Sequence, residues 1–362
     1  MRNWNQKAAL RWAVPLVAAL LLVGGGTAIT SLPATADNSL PERTPAQLLE
    51  DVQKARIKGV SGTVQQTANL GIPDLPGVGG ERSSDLKSLI SGTHTLRVWS
   101  AGPDKSRVAL LGEFGESDVI RNGDEAWIWS SKENTAHHYT GLQSKTDEPS
   151  PGVTPRTPQD AADEALRALD SSTKVSATND ATVAGRPAYE LTLTPRDGAS
   201  RVAQVRIAID GTEHVPVRVQ VRAAGKADPP FEVGFSKVDF NEPDDDRFTF
   251  TPPPGAKVHE ESVDPGEKRR DGKDGNRRDG DDVTVVGTGW TAVSIRPLPA
   301  EAKSGDLQRT LQALPKVSGD WGSGRLLDST LFSVLVTDDG QIVAGAVAPD
   351  ALYSALNAKR TG

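Results

Sequence analysis

The sequence predicts an α+β protein built mainly from antiparallel β-strands, with an appended C-terminal β/α segment. Apolar and polar residues alternate in successive runs between Thr182 and Val258, and this period of two is typical of strands with one face on an apolar interior. The dipeptide Asp210-Gly211 separates two of these runs and indicates a tight hairpin turn, hence antiparallel order. The apolar face of such a sheet must be covered by helices, a second sheet or a ligand.

Residues 1–36 have the pattern of a targeting segment. Arg2, Lys7 and Arg11 precede an apolar run from Trp12 to Val23, and Ala34-Thr35-Ala36 offers a small-x-small cleavage site. The apolar run is shorter than the roughly 20 residues that a spanning helix needs. We therefore expect export across the cytoplasmic membrane with cleavage, and an uncut N-terminal anchor is the alternative.

Composition excludes several classes of function. The chain has no cysteine, so disulfides, thiolate nucleophiles, thiolate metal sites and a lipid anchor on a signal-peptide cysteine are ruled out. It carries 41 basic and 48 acidic side chains, a net charge of −7. Because phosphate binding needs a basic surface, nucleic acid is not an expected partner.

The first set of elements lies between residues 37 and 142. Thr44-Pro45 begins a helix that ends before Gly59, with Gln47 placed to close a capping box. Asn122-Gly123 indicates a tight turn between the last two strands. The predicted strands are Val60–Thr67, Thr93–Trp99, Arg107–Leu111, Ser117–Arg121 and Glu125–Ser130.

A polar, proline-dense loop and a second Thr-Pro helix start at Thr157-Pro158 separate this set from the next. This helix could cross over the sheet. In the strands that follow, apolar residues two apart share one face. The four groups are Tyr189, Leu191 and Leu193; Val205, Ile207 and Ile209; Val215, Val217, Val219 and Val221; and Phe231, Val233 and Phe235.

The last third of the chain predicts a linker and a small unit. Residues 259–282 are charged and Gly-rich with hardly an apolar residue, which is typical of a flexible linker. Residues 283–362 carry strand and helix patterns, including a hairpin around Asp339-Gly340 and a terminal helix from Pro349. They form an appended unit or extend the first sheet. The predicted domains are thus 37–258 and 283–362.

The order of these elements resembles a known superfamily. After the first helix, the opening strand is Val60-Ser-Gly-Thr-Val-Gln-Gln, and a hairpin with Asp210-Gly211 at its turn follows later. The segment beginning at Phe248 reads Phe-Thr-Phe-Thr-Pro-Pro-Pro-Gly-Ala-Lys-Val. Over 44–258 this is similar to the superfamily of the lipoprotein carrier LolA, which also holds the sigma-E regulator RseB (MucB) and LppX-type lipoproteins.

The resemblance implies a half-barrel of antiparallel strands closed by helices around an apolar cavity. Members accept lipid acyl chains or a partner segment in it. This chain lacks the lipobox cysteine, and residues 283–362 have no counterpart in the pattern. The composition suits a high-GC Gram-positive bacterium, for which shuttling to a lipoprotein outer membrane is not expected.

No catalytic or metal site is predicted. Adjacent His137-His138 in a strand would point to opposite faces, which suits chelation of one ion poorly. Neither His-Glu-x-x-His nor Gly-x-Ser-x-Gly occurs, and Gly322-Ser323-Gly324 is interpreted as a turn. Residues 271–282 lack the bidentate glutamate of a calcium loop. We expect no cofactor and no enzymatic activity.

The candidate ligand residues are apolar. Trp127 and Trp129 lie two apart in one strand and share a face, where broad rings would suit an acyl chain. They could instead pack beneath a helix, and if the faces are reversed, Ala126 and Ile128 line the interior. The full candidate set is Trp99, Trp127, Trp129, Leu191, Leu193, Val205, Ile207, Val217, Val219, Phe231 and Phe235.

The sequence therefore predicts a non-enzymatic cell-envelope protein that binds the acyl chain of a lipid or lipoprotein. The alternative is an RseB-like regulator that binds the extracytoplasmic part of a membrane protein, such as an anti-sigma factor. The oligomeric state is left open.

Overall fold

The computed structural model describes residues 40–72, 83–142, 157–167, 169–262, 283–299 and 305–361. Sequence predictions for residues 1–36 and for most of the linker, residues 263–282, lie outside this range. The helices are α1 (Pro45–Lys54), α2 (Pro158–Arg167), α3 (Gly305–Ala313) and α4 (Pro349–Thr361), with 3-10 turns at Leu86–Leu89, Asp245–Phe248 and Gly289–Thr291. Among the described residues, no helix combines the length and the apolar character needed to cross a membrane.

The strands form two sheets, which confirms an α+β fold that is mainly antiparallel. The larger sheet has twelve strands in the order β12-β6-β5-β4-β3-β2-β1-β11-β10-β9-β8-β7, and the smaller has six in the order β13-β14-β18-β17-β16-β15. The bounds of the first twelve are β1 Gly59–Ala68, β2 Gly92–Ala101, β3 Lys105–Gly112, β4 Gly115–Asn122, β5 Glu125–Ser130, β6 Thr135–Thr140, β7 Thr173–Val183, β8 Arg186–Pro195, β9 Val202–Asp210, β10 Pro216–Ala223, β11 Phe231–Asp239 and β12 Lys257–Ser262. Those of the smaller sheet are β13 Thr284–Val286, β14 Val293–Pro297, β15 Lys316–Gly319, β16 Gly322–Asp328, β17 Ser333–Thr337 and β18 Gln341–Gly345.

Both predicted helix starts are present. Thr44 and Gln47 form a reciprocal capping box, in which the amide of each residue donates to the side chain of the other. Thr157 Oγ1 likewise accepts from the amide of Asp160, 3.2 Å away. These caps satisfy amide groups that the first turn of a helix leaves without partners, so local sequence fixes where α1 and α2 begin.

Several local predictions differ from the structure. The turn after Asp210 is not a two-residue turn, because β10 begins only at Pro216 and the Asp210 carboxylate organises the longer loop by accepting from two of its amides. Gly322-Ser323-Gly324 is part of β16 and not a turn. The first four residues of the predicted linker, 259–262, continue β12, which pairs in parallel with β6.

One apolar face of the large sheet is covered by its own chain. Helix α1 contributes Leu48 and helix α2 contributes Ala162 to the main core, and α2 lies across β10 and β11, as its position in the sequence suggested. The smaller sheet covers the strands on the β7–β11 side, since residues of β16, β17 and β18 belong to the same buried cluster. The opposite face of the smaller sheet packs on α4. The two sheets therefore share one core.

Candidate functional site

A cavity of about 450 Å³ lies on the helix-covered face of the large sheet, where strands β1 to β5 meet α1 and the start of α2. Its volume is within the range of about 300–1,000 Å³ that is typical of small-molecule sites. Helix α1 contributes Val52, and two phenylalanines, Phe235 and Phe240, close the side toward β11. The cavity thus occupies the part of the apolar face that the smaller sheet does not cover.

The register of the strands arranges the wall of the cavity in two rows. The valine row consists of Val98, Val108 and Val119, which are direct neighbours on β2, β3 and β4. The polar row consists of Ser100, Ser106 and Arg121, which are also direct neighbours and lie two residues from the valine of their own strand. Because residues two apart on a strand share a face and lie roughly 7 Å apart, the wall changes from apolar to polar along the strand direction.

Gly62 extends the valine row onto β1, where it pairs with Val98. A Cβ atom at this position would lie 2.8 Å from Cδ1 of Phe235 and would also clash with the carbonyl oxygen of Lys237. Only glycine therefore lets the ring of Phe235 lie over β1 and close the cavity.

We expect Gly62→Ala to lower the free energy of unfolding by about 1–3 kcal/mol, because the added methyl group forces the Phe235 ring and the β11 backbone apart. Urea denaturation measures the change. The matched control is Gly198→Ala, since a Cβ there meets no heavy atom within 4 Å. Equal midpoints for the two variants would contradict the close approach of Phe235 to Gly62.

Three charged side chains, those of Arg56, Arg121 and Asp160, are among the residues that line the cavity. Arg121 is buried and donates from Nε to the carbonyl of Gly123 at 3.2 Å, whereas Arg56 is exposed and donates to the carbonyls of Gln53 and Ala55. The carboxylate among the lining residues is that of Asp160, and its Oδ2 accepts from the amide and the hydroxyl of Thr157.

An ion pair packs against Phe240, one of the two phenylalanines that close the cavity. The guanidinium carbon of Arg186 lies 4.9 Å from the ring centroid of Phe240, and its nitrogens donate to both carboxylate oxygens of Asp210 at 2.5 and 3.1 Å. Burial alone would raise the pKa of Asp210. Hydrogen bonds from Arg186 and from the amides of Glu213 and Thr212 outweigh it, so the pKa of Asp210 lies below its ordinary value.

The sequence-predicted ligand residues divide into three groups. Phe235 lines the cavity. Trp99 borders it, but its register on β2 places its side chain on the opposite face, where the ring centroid lies 5.7 Å from the guanidinium carbon of Arg107. A second group is packed in the main core and consists of Leu191, Leu193, Val205, Ile207, Val217, Val219 and Phe231. Trp127 and Trp129 form the third group.

Trp127 and Trp129 lie on the face of the sheet opposite the cavity. Their ring centroids are 5.3 and 5.8 Å from that of Phe250, and Trp127 also stacks on His138 at 3.9 Å. The reversed-face alternative therefore describes the structure: Ala126 lines the cavity and Ile128 packs on the main core. Phe250 of the closing Phe-x-Phe segment packs on both tryptophans, whereas the sequence suggested a ligand or, alternatively, a helix as their cover.

The adjacent histidines bind separate carboxylates. Nδ1 of His137 lies 3.1 Å from Glu261, and Nδ1 of His138 lies 2.7 Å from Glu260. These contacts attach β12 to the edge of the sheet. Within the described ranges, no three His, Asp or Glu side chains are grouped so that they could hold a metal ion.

The valine row, Val52 and Phe240 were not among the predicted ligand residues. The alternation that selected Trp127 also places Val98, Val108 and Val119 together on the other face of the same strands. A comparison of the two faces could have found them, because one carries branched aliphatic side chains and the other carries Arg107 and Asp118, which form an ion pair of 2.7 Å.

Several solved structures of other proteins resemble this chain at low sequence identity. The complex of MucA and MucB from Pseudomonas aeruginosa matches with 16% identity over 86% of this chain and 96% of that chain, at a TM-score of 0.43. A second structure, MucB in complex with MucA(peri), matches with 18% identity over 86% of this chain and 97% of that chain, at a TM-score of 0.42.

A LolA superfamily protein from Nitrosomonas europaea matches over 58% of this chain and 99% of that chain, with 12% identity and a TM-score of 0.22. Neither a protein-family model nor a curated protein sequence matches the chain. All three TM-scores are below 0.5, so none of these matches assigns a family or a function to this chain.

Proposed function

We propose that this chain is a non-enzymatic extracytoplasmic protein that binds the acyl chain of a lipid or lipoprotein in the cavity on β1 to β5. The observation that carries the proposal is the valine row, which forms an apolar wall beside a space of about 450 Å³. An apolar wall of this kind suits hydrocarbon because burial itself drives binding, at about 0.8 kcal/mol per methylene.

The size of the cavity supports a useful affinity. Burial of about eight methylenes contributes roughly 6 kcal/mol, which corresponds to a dissociation constant on the order of tens of micromolar before any head-group contact. Catalysis is not part of the proposal, because the charged side chains at the cavity are two arginines and a carboxylate that caps α2.

Val119→Trp is expected to weaken binding of the neutral apolar probe N-phenyl-1-naphthylamine by at least about tenfold, because the indole would occupy the space beside the valine row. Fluorescence titration measures it. The matched control is Val258→Trp on β12, which is an exposed residue outside the cavity. Val108→Trp provides a second blocking variant if Val119→Trp unfolds.

No probe binding by the wild-type chain, or equal binding by all folded variants, would refute the proposal. Circular dichroism of each variant shows whether it is folded.

A second candidate is an RseB-like regulator that binds the extracytoplasmic part of a membrane protein. The observation that favours it is that the smaller sheet fills the β7–β11 side of the apolar face, which leaves less room for lipid than an open half-barrel would. Native mass spectrometry of protein purified from its own membrane fraction separates the two. Co-purified lipid supports the carrier, whereas a stoichiometric envelope protein and an empty cavity support the regulator.

A further inference from the structure

The burial of side chains on β1 to β4 changes stepwise along the strands and shows which end of the cavity is closed. Beyond the valine row, on the same face and two residues further from the polar row, lies a third row, the leucine row. It consists of Val64, Leu96 and Leu110, which are direct neighbours on β1, β2 and β3. Each of the three is 0% exposed, and none of them lines the cavity. The leucine row therefore fills its part of the face.

The 3-10 turn at Leu86–Leu89 packs at the same end of the strands. It contacts β2, and its residues Leu86 and Leu89 belong to the same buried cluster as the leucine row. Both side chains are buried. Apolar side chains of the sheet and of this turn thus close the cavity at one end.

The opposite end of the cavity is open to water. Among the residues that line the cavity, Arg56, Gly102 and Pro103 are exposed. Gly102 and Pro103 lie between β2 and β3, directly beyond the polar row, and Arg56 lies just before β1 begins at the same end. Exposure therefore increases from the leucine row, through the valine row, to this rim.

The hydrogen bonds of the polar row lie within the chain itself. Oγ of Ser100 donates to the carbonyl of Gly102 at 3.4 Å, and Nε of Arg121 donates to the carbonyl of Gly123 at 3.2 Å. Because these donors already have acceptors, we assign no head-group preference to this end. Selection among guests falls instead to the closed end.

We propose that the cavity is a blind pocket, which a linear hydrocarbon tail enters beside the β2–β3 turn, and that Leu96 and Leu110 set the longest tail it accepts. This inference rests on the proposed function, because it names what selects among guests of the same cavity. Four residues separate Ser100 from Leu96 along β2, which is a depth of about 13 Å at roughly 3.3 Å per residue. Methylenes within this depth are buried and add affinity, whereas methylenes beyond it remain in water and add none.

The test uses a series of 1-alkanols, from octanol to tetradecanol, that differ only in chain length. Each is titrated as a competitor of N-phenyl-1-naphthylamine, whose fluorescence reports occupancy of the cavity. We expect the affinity of the wild-type chain to rise about fourfold per methylene up to a limiting length and then to stay level. The position of this break measures the depth of the pocket.

Leu110→Ala removes an isopropyl group from the closed end, so the break should move to alkanols about two to three carbons longer, while the shorter alkanols bind as they do to the wild type. Leu96→Ala should have the same effect. Leu110→Val is a smaller truncation that should move the break by about one carbon, and it keeps the test available if the alanine variants do not fold.

The matched control is Leu335→Ala. Leu335 is also 0% exposed, but it belongs to the cluster between the smaller sheet and α4. Its truncation should lower stability without moving the break.

An unchanged break in every folded leucine-row variant, or a wild-type series without a break, would overturn the inference and leave the acyl-chain proposal intact. Failure of the wild-type chain to bind both N-phenyl-1-naphthylamine and every alkanol would overturn the proposed function itself.

Discussion

Phe332→Ala is expected to lower the free energy of unfolding by about 3–5 kcal/mol, the usual cost of removing a fully buried phenylalanine ring. Phe332 immediately precedes β17 and is 1% exposed. It belongs to the same buried cluster as Leu191 and Ile207 of the large sheet. Its loss would therefore open a void in the core that the two sheets share, and both sheets should be destabilised together.

Urea denaturation followed by tryptophan fluorescence measures the effect. The matched control is Phe114→Ala, because Phe114 is 93% exposed on the β3–β4 turn and its removal should change stability by less than about 0.5 kcal/mol. Two separate unfolding transitions, of which only one moves in Phe332→Ala, would contradict a shared core.

Polar contacts across the boundary between the sheets favour the single transition. Arg201 lies 2.7 Å from the Asp328 carboxylate, and its amide donates to the carbonyl of Ala346 at 2.8 Å. Nε1 of Trp290 donates to Oγ1 of Thr173 at 2.8 Å. The division into domains 37–258 and 283–362 remains a prediction, and the number of transitions bears on it directly.

Asp210→Ala is expected to cost about 3 kcal/mol or more, because it leaves the guanidinium of Arg186 without its carboxylate in a partly buried site. Asp210 is 1% exposed and accepts from Arg186 and from the amides of Thr212 and Glu213. The substitution should also make the position of Phe240 less fixed, because Phe240 lines the cavity and Arg186 stacks on its ring. Denaturation at neutral pH and probe binding measure the two effects.

The same residue predicts how stability depends on pH. Since the folded-state pKa of Asp210 lies below its ordinary value of 3.8, the unfolded chain takes up the proton first as pH falls. The stabilising contribution is therefore present at neutral pH, decreases as pH drops through about 4, and is lost below the folded-state pKa. In Asp210→Ala this part of the acid sensitivity should be absent.

A second aspartate, in an exposed ion pair, provides the matched control for Asp210. Asp245 lies 2.6 Å from Nζ of Lys105, but its side chain is 82% exposed, so Asp245→Ala should cost less than about 1 kcal/mol. Equal losses for the two variants would show that Asp210 contributes no more than an exposed ion pair.

The sequence predicted many elements because their signals are local. The Thr44 capping box, the Thr157 helix start and the alternation in β8 to β11 are all properties of short segments, and the structure confirms each. Strands whose alternation involves few large apolar residues were missed. They are β6, β7, β12, β15 and β16; β7, for example, alternates exposed and half-buried residues between its two buried ends.

The candidate site was only partly predictable because alternation shows that two faces differ without showing which one is covered. Trp127 and Ile128 alternate correctly in β5, but the Phe250 segment covers the tryptophan face, and helices α1 and α2 cover the other. Large aromatic rings suggested a ligand wall on the Trp127 face, whereas the cavity lies on the other face and is lined by the valine row, Phe235 and Phe240. The alternation that places the valine row on one face was visible in the sequence of β2 to β4. It did not show which elements would cover that face.

The sequence by itself determined the antiparallel strands, the capped helices and the presence of one long apolar face. Only the tertiary structure decided that the smaller sheet fills this face beside β7 to β11 and leaves a cavity beside β1 to β5. The reason is physical: strand period and helix caps arise from neighbouring residues, whereas burial of Leu191 with Phe332 joins segments far apart in the chain. Which apolar residues remain available to a guest depends on that distant packing.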